Sequence, residues 1–170
     1  MNPAVLADPS ATIQVLTEDD WAPWMVAALK AAARSVHISV YMISPHWRAP
    51  GWHNLDILYE LAQVTRRGAQ GRLIVDQPNV PYTTHPFNVV AARTLAAAGW
   101  KVRVMPDART LHEKVLIIDR ALSVVGSHNL SRASATSNYD TSLAVRSTLL
   151  ADHLHRQFWS RWRLAKTLDL

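Results

Sequence analysis

Residues 112 to 129 read His-Glu-Lys-Val-Leu-Ile-Ile-Asp-Arg-Ala-Leu-Ser-Val-Val-Gly-Ser-His-Asn, and the two apolar runs inside this stretch set the architecture. Val115 to Ile118 has the length and branched side chains of a buried strand, and Leu122 to Val125 repeats the pattern after a turn at Asp119 to Ala121. A turn this short joins antiparallel neighbours. Side chains two apart on a strand share a face, so His112 and Lys114 point the same way. Gly126-Ser127-His128-Asn129 then returns small and polar groups to that end. A nucleophile candidate beside a fixed positive charge suits an anionic, phosphate-like group.

Upstream, Thr17 with Asp20 resembles a capping box before a helix over Trp24 to Arg34. Ser35 to Ile43 alternates with period two and reads as a central strand. Ser44 to Gly51 is a loop, and Leu55, Leu58, Leu61 and Ala62 mark a helix closed by Gly68. Arg72 to Asp76 is a buried strand, and the proline-rich Gln77 to Pro86 is a loop. Phe87 to Ala98 is a helix closed by Gly99, and Trp100 to Met105 is another strand. Beyond the opening stretch lie a polar loop from Ser131 to Asn138, a strand at Thr141 to Val145 and a helix from Leu149 to Lys166. Leu150, Leu154, Phe158 and Trp162 give that helix an apolar spacing of four. The expected fold is α/β: a mixed, largely parallel sheet with helices on both faces. No repeat or linker divides the chain, so residues 16–170 are read as one domain after an N-terminal tail, 1–15.

Composition narrows the class. A chain of 170 residues, 49% apolar and 18% charged, is long enough for a core and too apolar to be disordered. The net charge of +5 favours a polyanionic partner. With no cysteine, thiolate catalysis, disulfides and Cys-type zinc sites are excluded. No His, Asp or Glu grouping has metal-ligand spacing, so neither a metal nor another cofactor is expected. Met1 to Thr12 lacks a basic and apolar leader, and no segment has the length of a membrane span, so a cytoplasmic protein is expected.

His112-x-Lys114-x(4)-Asp119-x(6)-Gly126-Ser127-x-Asn129 resembles the HKD signature of the phospholipase D superfamily at every marked position. Ile38-Ser39-Val40-Tyr41, Leu58 to Ala62 with Arg67-Gly68, and Leu73-Ile74-Val75-Asp76 resemble the segments preceding it in that family. Asn138-Tyr139-Asp140 resembles the downstream Asn-x-acid pair, with Asp where members more often carry Glu. The resemblance spans about residues 20 to 165 and implies metal-free phosphodiester chemistry through a covalent phosphohistidine. Carried over position by position, it implies that His112 attacks phosphorus while Lys114, Asn129 and Ser127 hold the non-bridging oxygens. Asp140 would orient His112, and Asp119, Gly126 and Asn138 would be architectural. Arg109, three residues before His112, is the best of the scattered cations for substrate binding.

The family's site needs two such motifs and this chain has one, which implies a homodimer. Small single-motif members are mostly endonucleases, so DNA or RNA is the expected substrate. Membrane lipid is the lesser alternative, as for a phospholipid phosphodiesterase or phosphatidyltransferase. A non-catalytic nucleic-acid-binding module that kept the fold is a third reading. His53 and His85 read as loop histidines, His37 as a partly buried structural one, and His128 fills the variable position of the motif.

Overall fold

A computed structural model of the protein describes residues 6–44, 57–76, 84–106 and 109–167. His53, the side chain of His85 and most of the two proline-rich loops lie outside the described residues. The elements, in chain order, are β1 (Thr12–Leu16), α1 (Glu18–Ala31), β2 (Ser35–Val40), α2 (Ile57–Arg66), β3 (Gln70–Asp76), α3 (Thr84–Ala97) and β4 (Lys101–Met105). They continue with β5 (Lys114–Ile118), β6 (Leu122–Gly126), α4 (Arg132–Thr136), β7 (Ser142–Arg146), α5 (Thr148–Leu164) and β8 (Lys166–Thr167).

All eight strands form one sheet in the order β1-β7-β6-β5-β2-β3-β4-β8. It is mixed, as expected, but not largely parallel. Only β2–β3 and β3–β4 pair in parallel, because only there does a long helix return the chain to a strand beside the one it left; α1 and α5 join strands that are not neighbours. The pairs β1–β7, β2–β5, β4–β8, β5–β6 and β6–β7 are antiparallel.

Four further expectations are corrected. Residues 12–15, read as tail, belong to the edge strand β1, which pairs with β7 from Thr12↔Arg146 to Leu16↔Ser142. The polar stretch after Ser131 contains the short helix α4, capped by the Ser131 side chain, which accepts from the Ser134 backbone N–H. Helix α3 begins at Thr84, inside the stretch read as a proline loop. Pro86 is tolerated there because the first-turn N–H groups have no intrahelical partner in any case. Helix α1 also begins early, ahead of Pro23. Glu18, Asp19 and Asp20 in its first turn complement the helix dipole, and burial of Trp21, Ala22 and Met25 offsets the proline.

Helices cover both faces. Leu29 of α1, Leu61 of α2, Leu95 of α3 and Ala135 of α4 pack with Val36, Ile38, Val40, Leu116 and Val124 on one side. Phe158 and Trp162 of α5 pack with Ile74, Met105 and Ile117 on the other, as their spacing implied. Each such fully buried side chain contributes about 1.5–3 kcal/mol. His37 is 4% exposed beneath α5, stacked on Phe158 at 4.9 Å between ring centres, and so is structural as expected. No helix among the described residues is long and apolar enough to cross a membrane.

Candidate active site

The site forms where β5 begins and β6 ends. Asp119 fixes the far end of that hairpin: it and Arg120 both have positive φ, 53° and 56°, the backbone a tight hairpin turn requires. That backbone costs an L-residue about 1–2 kcal/mol, and the turn is held from both sides. Asp119 accepts from the backbone N–H groups of Ala33, Arg34 and Ser35 at 2.9, 2.7 and 2.8 Å. Burial pushes the Asp119 carboxyl up, but these three donors outweigh it and hold the group below the usual carboxylate range. Asp119 therefore sits in the turn at the opposite end of β5 from His112 and Lys114, as an architectural member of the motif would.

At the near end, Lys114 Nζ lies 3.2 Å from His112 Nδ1 and 3.0 Å from the His112 carbonyl oxygen, so the two side chains meet as their spacing requires. The Tyr41 ring, at the end of β2, lies 4.9 Å from the His112 ring and 5.2 Å from Lys114 Nζ. Burial lowers the Lys114 pKa, opposed by the charge of Asp140. His112 is exposed, and with Nδ1 turned to Lys114 its Nε2 is the nitrogen left open to a substrate.

Gly126 is required by packing. A Cβ there would fall 2.4 Å from the Ser142 Cα and 2.4 Å from the Thr141 carbonyl oxygen, so β6 and β7 approach closely only without one. This approach brings Ser127 to Asp140: the Ser127 hydroxyl donates to Asp140 Oδ1 at 2.7 Å and accepts from the Thr141 N–H at 3.0 Å. Asn138 Nδ2 donates to Asp140 Oδ2 at 3.4 Å. Burial raises the Asp140 pKa, but the Ser127 hydroxyl and its other donors reverse that and keep the group below the usual range.

Asp140 is thus hydrogen-bonded to Ser127 and Asn138 rather than to His112, which differs from the expected orienting role. The aspartate is one methylene shorter than glutamate, and its oxygens are engaged on their own side of the site. Ser127 likewise directs its proton to Asp140 and not into open space. Asn129 stands beside Leu130, whose backbone bridges to Met42 and Ser44 after β2. Arg109 is exposed, and it makes no hydrogen bond or ion pair with a described residue.

Four residues support the site in ways the sequence did not disclose. Glu113 turns away from the two residues it separates and accepts from Ser39 Oγ at 2.7 Å, Gln157 Nε2 at 3.0 Å and Arg161 Nε at 3.1 Å. It ties the motif to β2 and α5. Asp76 Oδ1 accepts from the Leu111 N–H at 2.7 Å, fixing the approach to His112. The buried Asn88 donates to the carbonyls of Tyr41 and Asp76, both at 2.9 Å, and accepts from the Ile43 N–H at 2.8 Å, joining the ends of β2 and β3. His128 is buried, stacked on Trp21 at 4.9 Å and hydrogen-bonded to Ser142 at 2.8 Å. Burial lowers its pKa against the pull of Asp140 and Glu18.

With the six motif positions on and at the ends of one hairpin, β5–β6, comparison with known proteins decides the family. Residues 25–162 match the family described as cardiolipin synthase, PLD-like domain. The chain belongs to the phospholipase D superfamily. It is 28% identical over 118 residues to cardiolipin synthase A of Shigella flexneri, an alignment covering 69% of this chain but only 23% of that protein. Among solved structures it resembles Nuc, a phospholipase D family member from Salmonella typhimurium, with TM-score 0.79 and 21% identity over 95% of this chain and 100% of that one. NucT from Helicobacter pylori follows with TM-score 0.75 and 16% identity, over 94% and 100% of the two chains. At these identities the two structures establish the superfamily fold, a mixed sheet with helices on both faces, and nothing finer.

Proposed function

We propose that this chain is a phosphodiesterase that cleaves nucleic acid, without metal, at a site completed by a second copy of itself. The observation that carries the reading is a single His112–Lys114 pair, 3.2 Å apart with the histidine exposed, at the end of the sheet. Hydrolysis through a covalent intermediate needs an attacking group and a separate proton donor for the leaving oxygen. In the proposed reaction His112 Nε2 forms a bond to phosphorus as the phosphorus–oxygen bond to the leaving group breaks. The leaving oxygen takes a proton from the second subunit's histidine. Water, giving its proton back to that histidine, then displaces the phosphoryl group and restores His112. Lys114 and Asn129 balance the charge spreading over the non-bridging oxygens.

Support for the dimer lies beside the site. Val115, Val125, Leu143 and Val15 face each other in register across four strands, and the last three are 38%, 40% and 57% exposed. An apolar row left bare next to half a site suits a two-fold partner. The net charge of +5 favours nucleic acid. The likeness to a cardiolipin synthase favours a second reading, phospholipid phosphodiester cleavage or phosphatidyl transfer.

The test incubates the protein, in chelator, with single-stranded DNA, duplex DNA, RNA and phosphatidylcholine, beside His112→Ala. Cleavage of a nucleic acid, lost in the variant, is the expected result. Cleavage of lipid alone selects the second reading, and activity unchanged in His112→Ala defeats both. Mixing wild type with His112→Ala subunits that exchange freely should lower activity roughly as the square of the wild-type fraction.

A further inference from the structure

At the opposite end of β2 from Tyr41, on the face covered by α5, lies an open pocket of about 530 Å³ lined by Arg34, His37, Arg72, Arg120, His155 and Trp159 among others. Its charges do not balance in the usual way. Arg120 is held by Asp152 through two contacts of 2.9 and 2.6 Å, and the Asp119 carboxylate is engaged by three backbone N–H groups. Arg34 reaches the Asp119 carbonyl oxygen at 2.8 Å. Arg72 is half-buried, and among the described residues it forms no ion pair with a carboxylate. Its guanidinium lies 5.2 Å from the centre of the Trp159 ring and donates only to neutral groups, Gln70 Oε1 at 2.8 Å and His37 Nε2 at 3.2 Å.

Two histidines line the same place. Because a guanidinium can only donate, His37 accepts at Nε2 and carries its ring proton on Nδ1, a buried atom with no hydrogen-bond partner. His155, stacked on His37 at 5.0 Å, accepts the Trp159 indole N–H at Nε2 and likewise carries its proton on Nδ1. A partly desolvated cation without a counter-ion, backed by an aromatic ring and flanked by two imidazoles, is complementary to an anion. We infer that this pocket is a second phosphate-binding site, separate from His112, with Arg72 as its principal ligand. The strand β2 separates it from the catalytic end by about 20 Å, at about 3.3 Å per residue, and a nucleic-acid strand passing around the sheet is one source of the phosphate. That source of the phosphate rests on the nuclease reading; a free phosphate compound or a lipid headgroup would present the same group without it.

Inorganic phosphate is the first probe, added at constant ionic strength while the ring resonances of His37 and His155 are followed by NMR. Wild type should show a saturable shift that Arg72→Gln loses and Arg72→Lys partly keeps, with the unfolding midpoint of each variant confirming that it is folded. Absence of a phosphate-specific shift, or the same shift in Arg72→Gln, overturns the site. The second probe is a single-stranded oligonucleotide about ten nucleotides long. If the phosphate belongs to a strand, Arg72→Gln should reduce the slope of log affinity against log salt by about 0.7. A phosphate shift without that change in slope upholds the site and assigns it to a small phosphate compound or, if phosphatidylglycerol vesicles compete for it, to a lipid headgroup. The phosphate arm does not depend on cleavage, so the site and the nuclease reading fail separately.

Discussion

Lys114 Nζ faces His112 Nδ1 at 3.2 Å, and this contact opposes the tautomer that attack from Nε2 requires. A nucleophilic Nε2 must be unprotonated, which places the ring proton on Nδ1, directly against the ammonium. A phosphoryl group that draws Lys114 onto its non-bridging oxygens removes the conflict, so substrate binding and activation of the nucleophile are coupled. Lys114→Met should lower kcat by about 10²- to 10³-fold, the usual cost of losing one group that stabilises the developing charge. Steady-state kinetics on a cleaved phosphodiester checks it, and a change in KM alone would assign Lys114 to binding.

Glu113 holds the same segment from behind through Ser39, Gln157 and Arg161. Glu113→Ala should lower kcat about tenfold with little change in KM, because His112 and Lys114 remain but lose their fixed orientation. Gln157→Ala combined with it should cost less than the two losses multiplied, since both act through one network. Independent, multiplicative losses would show that α5 does not position the motif.

What the sequence disclosed and what it hid divide along the range of the interactions. The contact of His112 with Lys114 follows from two-residue spacing, and the β5–β6 hairpin from two apolar runs around Asp119. Sheet direction depends on which distant strands meet, and β2 lying between parallel β3 and antiparallel β5 has no local signature. The edge strand β1 pairs on one side only, and its Ile13 and Val15 stay exposed, so no buried alternation marks it. Helix α4 reads Arg-Ala-Ser-Ala-Thr, without an apolar stripe, and rests on its Ser131 cap. The roles of Glu113 and Asp76 required knowing that α5 and Leu111 come to lie against them. The expected Asp140–His112 contact came from the family pattern, and the shorter side chain, bound to Ser127, departs from it.

Gly126 gives a stability prediction that is independent of function. In Gly126→Ala the new methyl would meet backbone, Ser142 Cα and the Thr141 carbonyl oxygen, each at 2.4 Å, and no rotamer change relieves that. Separating β6 from β7 should cost about 3 kcal/mol, near the upper end for an overpacked site. Denaturant unfolding measures it; a loss below about 0.5 kcal/mol would mean that the strands part easily. Because Ser127 meets Asp140 across the same gap, the variant should also lose activity.

Acid stability should turn on His37. Burial, reinforced by His155 and Arg72, lowers its pKa from 6.5 to about 3 in the folded protein, so the native state keeps it neutral while the unfolded chain protonates it near 6.5. Between those values the unfolded state binds the extra proton, and stability rises with pH. The contribution is fully present above about pH 7 and is lost as pH falls from 6.5 toward 3, at up to about 1.4 kcal/mol per pH unit. His155 is lowered by burial too and acts with the same sign. Asp119, held below its usual value of 3.8, adds a loss only at lower pH still, as pH drops through its folded value. His37→Phe keeps the stack on Phe158 but cannot take a proton, so its stability should fall less steeply between pH 6.5 and 4. Urea midpoints of both proteins across that range test the assignment, and parallel curves would place the acid-sensitive group elsewhere.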